Sequence, residues 1–444
     1  LIMCPTEYNK AWSNVKGGYL TTLGEKLNKG IQIMWTGNSV IATIDRETMD
    51  FINPLLKRKA YIWWNFPVSD YVRDHLLMGP VYGNALDIKD EMEGFVSNPM
   101  EHAEASKIAL YSVADYAWNL SDYDSDLSWK RAIKDLMPQH AAYLETFAAH
   151  NSDLGANGHR FRREESVALQ PALEALLSTY EKQHIIDEDA WRQVNEECSK
   201  IVTASDILSV SQENQPFIAE ITPWLMQFKL VGQYGEAVLQ MMRRAVTDKA
   251  GFETAYEHAK SLQLLMYKVD TSYNQNPYQP GIKSGSKLLL PTFYALFEAS
   301  VGLYNQAYQA ALDTRAVYMP YTWNSDVPQL AALPVLRKGK MGNVSPSNEV
   351  IRWQAGGEAL LMMDQMRTLK SLTVDLGIAD APKLIRLEIT ADGQRWEALP
   401  LQPVNGKTRF KAEVEGRNVQ KIRLTNITGQ EQKVYFKQFG FEEK

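Results

Sequence analysis

Within the first hundred residues, short apolar runs alternate with helical patterns, and this alternation restricts the fold more than any other feature of the chain. "LIMC" (Leu1 to Cys4) precedes the helix-like "TTLGEKLNK". "IQIMW" (Ile31 to Trp35) breaks at Thr36-Gly37-Asn38 and leads into a helical pattern from Asp45 to Lys57. "KAYIWWN" and a long polar loop then precede "EGFVSN", after which a helix is expected to open at Pro99. Such βα units form parallel sheets with crossover helices. Four of them are half of a (β/α)8 barrel, and half a barrel leaves its inner face and edges exposed. The expectation is that the other half lies upstream of Leu1. "LIMCPTEY" carries no initiator Met and no signal-peptide pattern, and it reads as a buried strand.

From Pro99 to Thr314 the pattern is helical. Asn98 is a candidate cap for the first helix, with Pro99 at its first position and Glu101 and Glu104 in its first turn. Ser128 is a second candidate cap. Beyond Tyr318, segments such as "KLIRLEITADGQRWEALPL" alternate apolar and polar residues around Asp-Gly turns. The fold class is therefore multidomain, with α/β, all-α and all-β parts. Residues 1–112 are expected to form the second half of a catalytic barrel, 113–318 a helical bundle, and 319–444 a β-sandwich. Pro328 to Ser347 is expected to link bundle and sandwich.

Composition removes several functions. A net charge of −6 over 444 residues, with a pI near 5.8, argues against binding nucleic acid through phosphates. No apolar run reaches the length of a membrane span. Two cysteines, Cys4 and Cys198, provide neither a disulfide framework nor metal-ligand spacing. No metal and no cofactor are expected. The seven histidines are scattered, without a triad pattern or an HExxH motif.

Functional residues of a barrel sit past the C-terminal ends of its strands. Those ends carry Cys4 to Tyr8, Trp35 to Asn38, Trp63 to Asp70, and Ser97 with Asn98. Aromatic, amide and carboxylate groups without lysine or arginine suit a neutral, hydroxyl-rich ligand. Rings stack on the apolar face of a sugar, and Asn and Asp bond its hydroxyls. In "YIWWNFPVSDY", Trp63 and Trp64 must face opposite sides of the strand. Asp70 can instead cap a short helix, and Asn98 its own helix. A glycosidase commonly places two carboxylates around the scissile bond. Glu7, Asp87, Asp90 and Glu91 are available besides Asp70, and they read as solvated loop charges. No Asp-Asp dipeptide occurs.

"CPTEY", "WTGN", "YIWWNFPVSD" and "EGFVSNPM" resemble the second half of the catalytic barrel of family 84 glycoside hydrolases, the bacterial O-GlcNAcases. The resemblance implies a barrel, a following helical domain and variable C-terminal modules. It implies removal of terminal β-linked N-acetylglucosamine from Ser or Thr, with retention. The substrate's own acetamido oxygen acts as nucleophile through an oxazoline, assisted by two adjacent aspartates. Those aspartates belong to the fourth barrel strand and are absent here, so the chain as written should not turn substrate over. The resemblance assigns Asp70 to the 4- and 6-hydroxyls, Asn98 to a sugar-binding amide, and Asn65 to the acetamido end. It sets Tyr8 near the reacting centre, and Cys4, Thr36 and Trp63 along the acetamido pocket. Glycans or glycoproteins bearing N-acetylglucosamine are the expected partners, and the expected location is periplasmic or secreted. The sandwich is similar in texture to discoidin-like carbohydrate-binding modules. The alternatives are a hexosaminidase or hyaluronidase-like enzyme on longer glycans, or a glycan-binding protein without catalysis.

Overall fold

The computed structural model describes residues 1–152, 165–338, 340–404 and 406–444. These divide into two compact units. Leu1–Asn274 with Gly281–Val317 makes one, and Gln275–Pro280 with Tyr318–Lys444 makes the other.

The first unit begins with four strands, β1 (Ile2–Met3), β2 (Gln32–Trp35), β3 (Ala60–Trp64) and β4 (Met92–Ser97), which pair in that order. All three pairings are parallel. Helices α1 (Tyr19–Lys26), α2 (Arg46–Leu56) and α3 (Ala103–Trp118) return the chain between and after them. Asp45 starts α2 by accepting the Thr48 N–H at 2.8 Å. Ile33, Trp35, Ile62 and Trp64 point to the helical side and are buried with Met49, Ile52, Val113 and Tyr116. Met34, Tyr61 and Trp63 alternate with them on the other face and are partly exposed. Parallel sheets ordinarily have both faces covered. Here, among the described residues, one face is closed and the other partly open.

The helical region continues with α4 (Ser125–Leu136), α5 (Ala141–Ala149), α6 (Gln170–Gln183), α7 (Glu188–Val210), α8 (Gln215–Arg244), α9 (Lys249–Ser272) and α10 (Leu289–Tyr308). The long α8 is its axis, with Phe217, Leu225, Phe228 and Tyr234 buried. Two of its glycines let neighbours approach closely. A Cβ at Gly235 would stand 2.6 Å from the Cys198 sulfur and 2.7 Å from the Phe293 ring. Cys198 is thus a packing residue, and burial raises its thiol pKa. The 112/113 division expected from the sequence falls inside α3. That helix gives Ala105 and Ile108 to the core of the bundle, and Ala109, Val113 and Tyr116 to the core beneath the sheet.

Two of the expected caps are not caps. α3 starts at Ala103, after His102, which makes no side-chain cap bond, so Asn98 lies outside the helix. α4 is capped by Asp124, whose side chain accepts the Leu127 N–H, while Ser128 is buried within the helix.

The second unit contains β5 (Tyr321–Ser325), β6 (Val335–Lys338), β7 (Met341–Val344), β8 (Ile351–Trp353), β9 (Glu358–Asp375) and β10 (Ile385–Thr390). It continues with β11 (Glu397–Leu399), β12 (Gln402–Pro403), β13 (Arg409–Asn426), β14 (Gln432–Val434) and β15 (Gln438–Glu443). The long β9 and β13 pair antiparallel through two register shifts. Such irregularities bend a strand and let a sandwich-like sheet fold around its core. The expected linker Pro328 to Ser347 is in fact part of this unit, since β6 and β7 pair with each other and β7 pairs with β15.

Candidate substrate-binding site

The tip of β3 commits one tryptophan and leaves the other available. Trp64 is fully buried and its indole N–H donates to the Ala42 carbonyl at 2.7 Å. Trp63, on the opposite face, lies nearly parallel to the Tyr8 ring at 6.2 Å. Trp12 meets Tyr8 edge-on at 5.0 Å. The loop after β1 is held to the loop after β2 by backbone bonds, Thr36 N–H to Tyr8 O at 2.9 Å and Lys10 N–H to Gly37 O at 3.0 Å. Asn9 accepts the Trp12 N–H at 3.0 Å, which sets the short turn that presents Trp12.

Thr36 is placed differently from the expected pocket lining. It is fully buried, and its hydroxyl donates to the Ser39 carbonyl at 2.9 Å. It holds the wall of the site without presenting surface. Cys4 turns its thiol to the Pro5 carbonyl at 3.6 Å, and burial raises its pKa. Tyr8 is raised too, by burial first and by Cys4 second. At neutral pH both stay protonated, so Tyr8 is a hydrogen-bond donor and Cys4 is no thiolate nucleophile.

Asn65 and Asn98 are brought together. The Asn98 side-chain amide donates to Asn65 Oδ1 at 3.0 Å, and Asn65 Nδ2 donates to Val40 O at 2.7 Å. Asn98 is further tied through its backbone N–H to Trp64 O. Each amide is oriented while keeping spare bonding capacity, one N–H on Asn98 and a lone pair on Asn65.

Asp70 stands in residues 65–88, which form neither helix nor strand, so it caps no helix. It is exposed, and its carboxylate has no hydrogen bond or ion pair among the described residues. The loop that carries it is anchored to the helical region at several points. His75 sits between Asp74 Oδ1 at 2.8 Å and Ser286 Oγ at 2.7 Å. A carboxylate only accepts, so Nδ1–H donates to Asp74, and in the neutral ring Nε2 accepts from Ser286. The Asp74 carbonyl accepts from Lys283 N–H and from the Trp224 indole at 3.0 Å. Met78 and Gly79 donate to Asn151 and Ser152 carbonyls at 3.0 and 3.2 Å. The helices therefore fix a loop whose Asp70 side chain is left unengaged among the described residues.

The other carboxylates are structural. Glu7 accepts the Asn14 N–H at 2.9 Å, and Arg46 pairs with Asp87 at 3.0 Å and Glu91 at 3.9 Å. Among the described residues no group of three or more His, Cys, Asp or Glu could hold a metal. The sequence reading missed Trp12, and it placed Asn38 at a strand tip without giving it a role. Among the described residues the Asn38 Oδ1 is buried without a partner, as are Asn9 Nδ2 and Ser69 Oγ in the loops after β1 and β3. The arrangement offers stacking faces, oriented amides and a free carboxylate, and it offers no nucleophile with an adjacent base.

Comparisons with known proteins agree in kind. Residues 1–149 match the family described as beta-N-acetylglucosaminidase. Residues 165–297 match the bacterial GH84 post-catalytic domain, and 312–375 match carbohydrate binding module family 32. Protein O-GlcNAcase of Mus musculus is 33% identical over 131 residues, which are 28% of this chain and 14% of that protein. The Rattus norvegicus protein is 32% identical over the same shares of both chains. The chain thus spans 14% of the length of these curated relatives. The solved structure of CpGH84D superposes with a TM-score of 0.60 at 29% identity, over 68% of this chain and 50% of that one. CpGH84B gives 0.59 at 26%, over 67% and 50%. A Thermobaculum terrenum O-GlcNAc hydrolase variant gives 0.56 at 24%, over 72% and 65%, which speaks to the fold alone. Consecutive parts of the chain thus match family 84 glycoside hydrolases, followed by a carbohydrate-binding module, and its homologues include O-GlcNAcases.

Proposed function

We propose that this protein, with family 84 glycoside hydrolases as its kin, binds terminal β-linked N-acetylglucosamine at the tips of β1 to β4 and serves in its hydrolytic removal. The observation that carries the reading is Asp70. Among the described residues it is a free, exposed carboxylate on a loop pinned by His75, Met78 and Gly79, in the segment that follows the strand carrying Trp63. In this reading Asp70 accepts from the 4- and 6-hydroxyls, Asn98 and Asn65 bond hydroxyl and acetamido groups, and Trp63 stacks on the sugar. Tyr8 donates near the reacting centre. Cys4 and Thr36 shape the acetamido side, Thr36 through the loop it holds.

The chemistry that goes with this kinship uses the substrate's acetamido oxygen as nucleophile and a pair of adjacent aspartates. No such pair occurs in the sequence, so these residues supply sugar recognition and not proton transfer. The partly open face of the parallel sheet, with Met34, Tyr61 and Trp63, supports its reading as part of a barrel.

The test is hydrolysis of a chromogenic β-N-acetylglucosaminide by the full-length protein and its Asp70→Ala variant. Loss of a charged hydroxyl contact lowers the specificity constant by roughly a hundredfold. Turnover unchanged by the substitution removes Asp70 from the site. Absence of turnover in both proteins, with sugar binding retained, leaves a glycan-binding protein without catalysis.

A further inference from the structure

We propose that Ser166, His150 and Glu197 form a second nucleophilic site, in the helical region, that hydrolyses small carboxylic esters. The strand-tip site uses none of the three. His150 follows the last turn of α5, Ser166 lies in the turn before α6, and Glu197 is on α7.

The geometry is that of nucleophile, base and orienting acid. Ser166 Oγ is 2.7 Å from His150 Nδ1, and His150 Nε2 is 3.1 Å from Glu197 Oε1. Glu197, held by the His150 bond first, has its pKa lowered to about 2 and is ionised at neutral pH. An ionised carboxylate only accepts, so Nε2 carries the proton and donates to it. In the neutral ring Nδ1 then presents a lone pair toward the serine, which is the tautomer a general base requires. The two ring nitrogens exchange the duties they have in serine proteases, and such constellations are recognised by geometry and not by position.

The backbone adds two further features. Ser166 has φ of +60°, a left-handed conformation uncommon for a residue other than glycine. Strain of this kind collects at functional sites, including the sharp turns that present nucleophiles. Leu169 N–H closes the turn on the Ser166 carbonyl at 2.9 Å, so the N–H groups of Val167 and Ala168 fall outside that bond. In the proposal these two groups are the backbone donors nearest in the chain to an oxyanion formed beside the serine.

Ser166, His150 and Glu197 line a cavity of about 350 Å³, with Trp129, Gln193 and Lys200 also on its wall. That volume suits a small ligand. Among the described residues its wall also carries Glu145 and Glu196, and Lys200 pairs with Glu197 at 3.1 Å.

The reaction balances without a further reagent. Ser166 Oγ attacks the acyl carbon as its proton passes to His150 Nδ1. The bond to the alcohol oxygen breaks and the alcohol leaves with that proton. Water, deprotonated in turn by Nδ1, releases the carboxylic acid and restores the serine.

The full-length protein would be treated with a fluorophosphonate probe and digested for mass spectrometry, and assayed with p-nitrophenyl butyrate. The variants are Ser166→Gly, which removes the hydroxyl while suiting the positive φ, and Glu197→Gln. The proposal expects covalent labelling at Ser166 and a fall in ester turnover of roughly a thousandfold in Ser166→Gly. Labelling of Glu197→Gln should slow more than about tenfold, as the tautomer is no longer enforced. Folding is checked by circular dichroism. An unlabelled Ser166 in folded wild-type protein, or full ester turnover in folded Ser166→Gly, reduces the cluster to a structural tether between α5, α6 and α7.

Discussion

Tryptophan serves opposite ends in the core of the second unit and at the strand tips of the first. Trp323 and Trp353 are buried, and their indole N–H groups donate to Leu330 O at 2.7 Å and Gly357 O at 2.8 Å. Trp63 is partly exposed, with Tyr8 alongside and Trp12 beyond. Charge divides in the same way. Arg423 of β13 bridges Glu388 at 2.9 Å and Glu358 at 3.4 Å, over the ring of Trp396, whereas Asp70 pairs with nothing among the described residues. A region that satisfies its polar groups internally is finished by folding. One that orients such groups and leaves them unmet is completed by something it binds.

The largest expected effect separates the two tryptophan environments. Trp353→Ala should cost about 3–5 kcal/mol of unfolding free energy in urea titration, because a full indole leaves a closed core. Trp63→Ala should stay within about 1 kcal/mol. Comparable losses for both would break the contrast.

Glu197 sharpens it from the helical side, where a carboxylate is internally satisfied. Its folded pKa of about 2 lies below the ordinary 4.5, so its contribution is fully present above pH 4.5 and is lost as pH falls from there towards 2. A shift of that size corresponds to roughly 3 kcal/mol. Unfolding titrations across that window should show the loss in wild type and a shallower slope in Glu197→Gln.

A smaller effect is expected at the anchored loop. His75→Ala removes the bridge between Asp74 and Ser286 and should cost about 1–2 kcal/mol. If His75 positions Asp70, the variant also raises KM for the sugar substrate more than it lowers kcat. A change in stability with KM unaltered would make the anchor purely structural.

Much of this layout was legible in the sequence, because it follows from short-range patterns. Alternation in "AYIWW" separated Trp63 from Trp64, and apolar runs between helical stretches gave the strand order. What escaped depends on contacts remote in sequence. Asn98 carries the composition of a cap, yet its amide is taken up by Asn65 and the helix waits until Ala103. Residues 328–347 lack strong alternation because β6 and β7 are only four residues each, and they are paired by tertiary context. Trp12 gave no signal, since its presentation rests on Asn9 and on the loop beside it. The scattered histidines concealed His150, because Ser166 and Glu197 reach it only after α5, α6 and α7 have packed.

The most direct measurement concerns the 4-hydroxyl. Isothermal titration would give the dissociation constants of N-acetylglucosamine and N-acetylgalactosamine, which differ only there, for the full-length protein and for Asp70→Ala. The account predicts a preference for N-acetylglucosamine in the wild type that falls by roughly tenfold or more in the variant, with thermal stability unchanged. A preference of equal size in both proteins, or none in either, would contradict it.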